Sequence, residues 1–136
     1  MTKIESNIAE IANSQENVFK FLADFNNFGK MMPPQVAEWR STADECSFVI
    51  SGMAKIGMKI VERKPHDEIH IVSAGEKIPL KFDLFIRVVA TGENTCKGQL
   101  VFESDMNPMI KMMVEKPLTN FFNLLASKMK DIRQDS

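Results

Sequence analysis

The order of hydrophobic patterns constrains this chain most. Alternating, strand-like segments follow one another from Val36 to Glu103, and an amphipathic, methionine-rich helix then opens at Asn107-Pro108. Asn is a strong N-cap, and Pro suits the first helical position because its missing N–H would have no partner there. Ile110, Met113, Val114, Leu118, Phe121, Leu125, Met129 and Ile132 recur at three- and four-residue spacing, with Lys111, Glu115, Thr119, Asn123 and Lys130 set opposite. Neighbouring strands joined by tight turns run antiparallel, and their one apolar face needs a cover, which a terminal helix supplies. Pro117 removes the hydrogen bond to the Met113 carbonyl and crowds that turn, so a kink or break is expected there. Leu118 to Ile132 alone spans roughly 22 Å, enough to cross a sheet.

The strands are read from period-two alternation bounded by turn residues. Lys3 to Ala12 is an imperfect first strand, with Ile4, Ile8 and Ile11 and room for a bulge. Ser14 then caps a short helix running to about Ala23, with Glu16 in its first turn and Val18, Phe19, Phe21 and Leu22 clustered on one side. Phe25, Phe28, Met31 and Met32 are too apolar for a solvated loop, so a second short helix stopped by Pro33-Pro34 is expected. Val36–Ser41 and Glu45–Ser51 flank a turn at Thr42-Ala43-Asp44, and Gly52 marks a bend. Ile56, Met58 and Ile60 share one face of the next strand, with Lys59 and Arg63 on the other. Glu68–Ala74, Ile78–Ala90 and the strand holding Leu100 and Phe102 complete the run, with Gly92-Glu93-Asn94 as the last hairpin.

At 136 residues the chain fits a single domain, 1–136, with one core. A net charge of -1 lacks the cationic excess that displaces counterions from phosphates, so no nucleic-acid partner is expected. No apolar run reaches bilayer length and the start lacks a hydrophobic signal core, so neither stable membrane insertion nor secretion is expected, and the location expected is cytoplasmic. Cys46 and Cys96 fit two reduced, buried thiols. Ten methionines against no tyrosine suit a pliable apolar pocket as well as an ordinary core.

Strand, two short helices, six antiparallel strands and one long helix resembles the START-like superfamily, also called Bet v 1-like or helix-grip proteins and polyketide cyclase/lipid-transport proteins (SRPBCC). Local residues carry the resemblance too. Ser14-Gln15-Glu16-Asn17-Val18-Phe19 looks like the family's Pro/Ser-Glu-x-Val-[FW] start, Phe21 to Phe28 is similar to its L-x-D-x-x-x-[FW] segment, and Trp39 fits its place after the second helix. The resemblance implies an α+β fold, a curved antiparallel sheet of about seven strands wrapped around a long C-terminal helix. It also implies a hydrophobic cavity between them for a small apolar or lipid-like ligand. Relatives include carriers, cyclases and co-chaperones, so fold alone does not select among these.

Inward phase nominates the ligand-binding residues. They are Phe25, Phe28, Met32, Trp39, Phe48, Ile50, Met58, Ile60, Phe82, Leu84, Leu100 and Phe102, joined from the helix by Met109, Met113, Phe121 and Leu125. No catalytic set, metal cluster, phosphate loop or cofactor motif emerges, and a protein partner is left unassigned. His66 in its turn and His70 beside Ile69 and Ile71 are expected to face water, and Asp83 with Arg87 to form a surface pair. Glu62 continues the phase of Ile56, Met58 and Ile60 inward, where a carboxylate would be desolvated. Three functions follow: a non-catalytic carrier or sensor; a cyclase or dehydratase using Glu62, Ser73 or Ser104; or an interaction module acting through its exterior. For the segment Met109 to Met113, helix packing or pocket gating is preferred over membrane contact, since few basic residues flank it.

Overall fold

The structure, a computed structural model, describes residues 2–34, 36–50, 55–74 and 81–132. Its strands are β1 (Thr2–Glu5), β2 (Ala9–Ile11), β3 (Val36–Ser41), β4 (Glu45–Ile50), β5 (Lys55–Lys64), β6 (Glu68–Ser73), β7 (Asp83–Gly92) and β8 (Thr95–Ser104). Helices α1 (Gln15–Leu22) and α2 (Phe25–Phe28) follow β2, a 3-10 turn spans Gly29–Met31, and α3 runs from Pro108 to Met129. The bend expected at Gly52 and the strand start expected at Ile78 and Leu80 lie outside the described residues.

All pairings are antiparallel, in the order β1-β8-β7-β6-β5-β4-β3, with β2 also on β8. The single first strand expected over Lys3–Ala12 is two strands. Between them Ser6 stays buried and exchanges hydrogen bonds with Leu100 through its own N–H (2.9 Å) and hydroxyl (3.0 Å), while Asn7 donates to Asn123 of α3 at 2.8 Å. Ile8, between the two strands, is 56% exposed rather than inward. Ser14 and Asn107 cap α1 and α3 as expected, their side chains accepting from the Asn17 and Ile110 amides.

Of the kink or break expected at Pro117, the break is absent: α3 is continuous across the proline. It lies along β1, β2 and β8 and against the 3-10 turn. Gly98 marks its close approach to the sheet, since a Cβ there would stand 3.3 Å from both Met129 and Ile11. No helix among the described residues is long and apolar enough to cross a membrane.

Two bulges re-aim side chains. Around Glu38, whose φ is +54°, the β3–β4 register shifts, so Val36 and Trp39 turn inward although three residues apart. In β5 the register shifts between Ile60 and Glu62: Ile60 still opposes inward Ile71, but Glu62 opposes outward His70. The extra residue, Val61, reverses every later side chain of the strand.

Candidate functional site

The inner face is built from aromatic rings contributed by separate elements. Phe28 of α2 stacks toward Trp39 of β3 at 6.4 Å, Trp39 on Phe48 of β4 at 5.4 Å, and Phe48 on Phe121 of α3 at 6.1 Å. Phe121 neighbours Phe122 at 5.5 Å, which meets Phe102 of β8 at 5.5 Å, and Phe102 meets Phe82 at 5.2 Å. This continuous run joins both sides of the sheet through the helix. Gly29 admits it at one end, because a Cβ there would run into the Trp39 indole. The indole N–H is anchored on Ser41 at 3.1 Å, and the Ser41 hydroxyl in turn donates to Asn26 at 2.8 Å.

Of the residues nominated by phase, Phe25, Phe28, Phe48, Ile50, Met58, Ile60, Phe82, Leu84, Leu100, Phe102, Phe121 and Leu125 are buried, and Met32 and Trp39 are half-buried against the same cluster. Met109 and Met113 depart from the nomination, standing 73% and 70% exposed. At about 100° per helical residue, Met113 lies five residues before Leu118 and so about 140° round the helix from it, with Met109 farther still. The stripe that packs is Ile110, Val114, Leu118, Phe122, Leu125 and Met129. Phe122, only 4% exposed, was missed, though its place four after Leu118 and three before Leu125 carried the signal.

Of the candidate polar groups only Glu62 leaves the inner face, whereas Ser73 lies opposite inward Met58 and Ser104 is buried in phase with Leu100 and Phe102. Glu62 is exposed on the outer face with Lys64 at 4.0 Å, so the bulge removes it from the interior. The same reversal brings Arg63 round to close the α1 end of the fold. Its guanidinium donates twice to the Ala23 carbonyl (3.0 and 2.9 Å), once to Ala43 (3.4 Å), and pairs with Asp44 at 2.6 Å. Ser73 accepts from the Phe82 amide at 3.1 Å and Ser104 donates to the Lys81 carbonyl at 2.5 Å, so both hydroxyls hold the entry to β7.

The histidines are half-buried rather than simply in water. His66, with φ of +72°, meets Phe19 edge-on at 5.8 Å. His70 stacks on Phe85 at 4.5 Å and bonds Asp83 at 2.8 Å. Asp83 and Arg87 therefore do not pair with each other; Arg87 reaches Glu68 at 3.6 Å and lies over Phe85.

Both cysteines are free and buried. Burial pushes the Cys46 thiol up to about 12, partly offset by a hydrogen bond from the Met58 backbone, and burial raises Cys96 as well. Burial thus favours the protonated thiol at both positions, the less nucleophilic form.

Open clefts border this core. One of about 460 Å³ lies over the paired row Arg40, Ser47 and Gly57 at the β3–β5 end of the sheet. Another of about 390 Å³ lies where Phe21 and Met31 meet Lys128 and Ile132 at the end of α3, with an adjoining one of about 380 Å³ beside Asn13, Asn17 and Lys30.

No protein-family model matches the chain, and a search of curated proteins finds no match. Solved structures do resemble it. A Thermobifida fusca protein superposes with a TM-score of 0.68 at 16% identity, covering 98% of this chain and 97% of that one. A START superfamily protein from Mycobacterium smegmatis gives 0.67 at 13% identity, with 96% and 98% covered. Norcoclaurine synthase from Thalictrum flavum gives 0.72 at 15% identity, with 96% and 85% covered. Likeness at these identities bears on architecture, and it agrees with the sheet order, the paired short helices and the terminal helix described above. The chain has the START-like, Bet v 1-like helix-grip fold.

Proposed function

We propose that the protein binds a small hydrophobic, lipid-like or aromatic molecule between the inner face of the sheet and α3, acting as a carrier or sensor. The observation that carries this reading is how unevenly α3 is held over an apolar inner face. Leu118, Phe121, Phe122, Leu125, Ala126 and Met129 are buried, whereas the first ten residues of the helix touch the core only through half-buried positions such as Val114. That first part is the wall that can yield to admit a ligand at modest cost, and binding would draw on about 25 cal/mol per Å² of apolar surface removed from water.

Native mass spectrometry after gentle purification, with solvent extraction of the bound material, tests the reading. An apolar adduct is expected; a chain that is bare and takes up no member of a fatty-acid, sterol and aromatic panel would defeat it. Phe82→Ala supplies a second measure. Phe82 as tightly packed core should cost about 3–5 kcal/mol in denaturant unfolding, and markedly less as the wall of a ligand space.

One observation favours a second reading, a protein-interaction module. Met109, Met112 and Met113 form an exposed apolar patch on the far side of α3. Affinity capture that depends on these three methionines, with no apolar adduct on the protein, would favour it over the carrier. A cyclase or dehydratase loses its candidate acid in Glu62, although the fold itself is compatible with synthases.

A further inference from the structure

Met109, Met112 and Met113 are 73%, 85% and 70% exposed, whereas Met31, Met58 and Met129 are 5%, 4% and 1% exposed. Spacings of three and four residues place the exposed three on one side of α3, turned away from the stripe that packs on the sheet. Their sulfurs are open to any small oxidant without an opening of the fold. Lys111, which pairs with Glu115 at 3.7 Å, contributes no competing soft nucleophile beside them, and both cysteines are buried.

We propose that Met109, Met112 and Met113 constitute a surface site of reversible oxidation by peroxides. In each event the thioether sulfur attacks one peroxide oxygen, an S–O bond forms, and the O–O bond breaks. The sulfur gives up two electrons and becomes the sulfoxide; the other oxygen leaves as water after taking up the proton. The product is a polar side chain where a flexible apolar one stood, so the patch changes from water-avoiding to water-compatible.

Reversibility follows from position. A sulfoxide at Met129 would be forced against Ile11 and Gly98, the glycine whose added Cβ would stand 3.3 Å from the Met129 sulfur. A sulfoxide on the outer side of α3 displaces nothing, so the folded chain keeps it within reach of a methionine sulfoxide reductase.

The test treats the intact chain with dilute hydrogen peroxide and follows each methionine by fragment-ion mass spectrometry. Met109, Met112 and Met113 should oxidise at least about tenfold faster than Met31, Met58 and Met129, because the buried sulfurs must wait for local opening. Circular dichroism should be unchanged after the fast phase, and methionine sulfoxide reductases should restore the original mass. Comparable rates at buried and exposed positions, loss of the fold with the fast phase, or sulfoxides that resist the reductases would each overturn the proposal. The variant Met109→Leu/Met112→Leu/Met113→Leu conserves side-chain volume and should fold normally while losing the fast phase alone. A fast phase that survives in that variant at Met31, Met58 or Met129 would also overturn it.

Discussion

The two halves of α3 share one continuous backbone, yet they have opposite environments. Leu118 to Met129 is driven into the sheet through Phe121, Phe122 and Leu125, all at most 4% exposed. Pro108 to Pro117 holds on through half-buried side chains and turns three methionines outward. Burial, rather than helix propensity, separates them: a helix holds its place through the face it packs, and only one half has that face filled with large side chains. The comparison teaches that the same element can anchor the fold at one end and remain adaptable at the other.

Truncation on each side of Pro117 tests this contrast most severely. Phe121→Ala should cost about 3–5 kcal/mol in urea unfolding, because it opens the ring run between Phe48 and Phe122. Equal costs for Phe121→Ala and for a change in the first half would break the comparison.

Alkali probes the packed region by a different route. The Cys46 thiol is raised from its ordinary 9.0 to about 12 by burial, so the folded state holds its proton more tightly than the unfolded chain does. That contribution is complete below pH 9 and is lost as pH rises from 9 toward 12. The urea midpoint should therefore fall across this window, and fall less steeply in Cys46→Ala. An identical slope in both proteins would mean that the thiol is not sealed from water.

Pro117→Ala sharpens the boundary between the halves. Restoring an N–H that can reach the Met113 carbonyl should raise amide protection in the turn around residues 113–117, and slow ligand uptake if this end is the yielding wall. Global stability should move by less than about 1 kcal/mol, since the unfolded chain also loses the constraint of proline. Unchanged protection would show that the proline is not what loosens this end.

The smallest effect is expected at Met112→Ala, within about 0.5 kcal/mol, as befits a side chain 85% exposed. A larger loss would reveal a packing role for the outer side of α3.

Much of the scaffold was legible because it rests on local chemistry. Ser14 and Asn107 announce their helices through caps, and the alternation of Cys46, Phe48 and Ile50 announces β4 with its inner face. Glu62 and Arg63 show where that reading stops. Alternation carried through β5 puts Glu62 inside and Arg63 outside, and the bulge at Val61 reverses both. Nothing local marks Val61, a residue well suited to a regular strand. Likewise, the partners of Arg63 come from Ala23, Ala43 and Asp44, which only the folded chain brings together. At Met109 and Met113 the error was one of phase, since the run from Met109 to Val114, apolar except for Lys111, offers more than one stripe, and the sheet takes only one.

By itself the sequence determined the order of the elements, the capped helix ends and an apolar inner face, because these follow from periodicities and side-chain hydrogen bonds within a few residues. Tertiary structure alone decided which stripe of α3 is buried, where the strands bulge, and that the rings from Phe28 to Phe82 join into one run. Those outcomes depend on contacts between segments far apart in the chain, where packing overrides local preference.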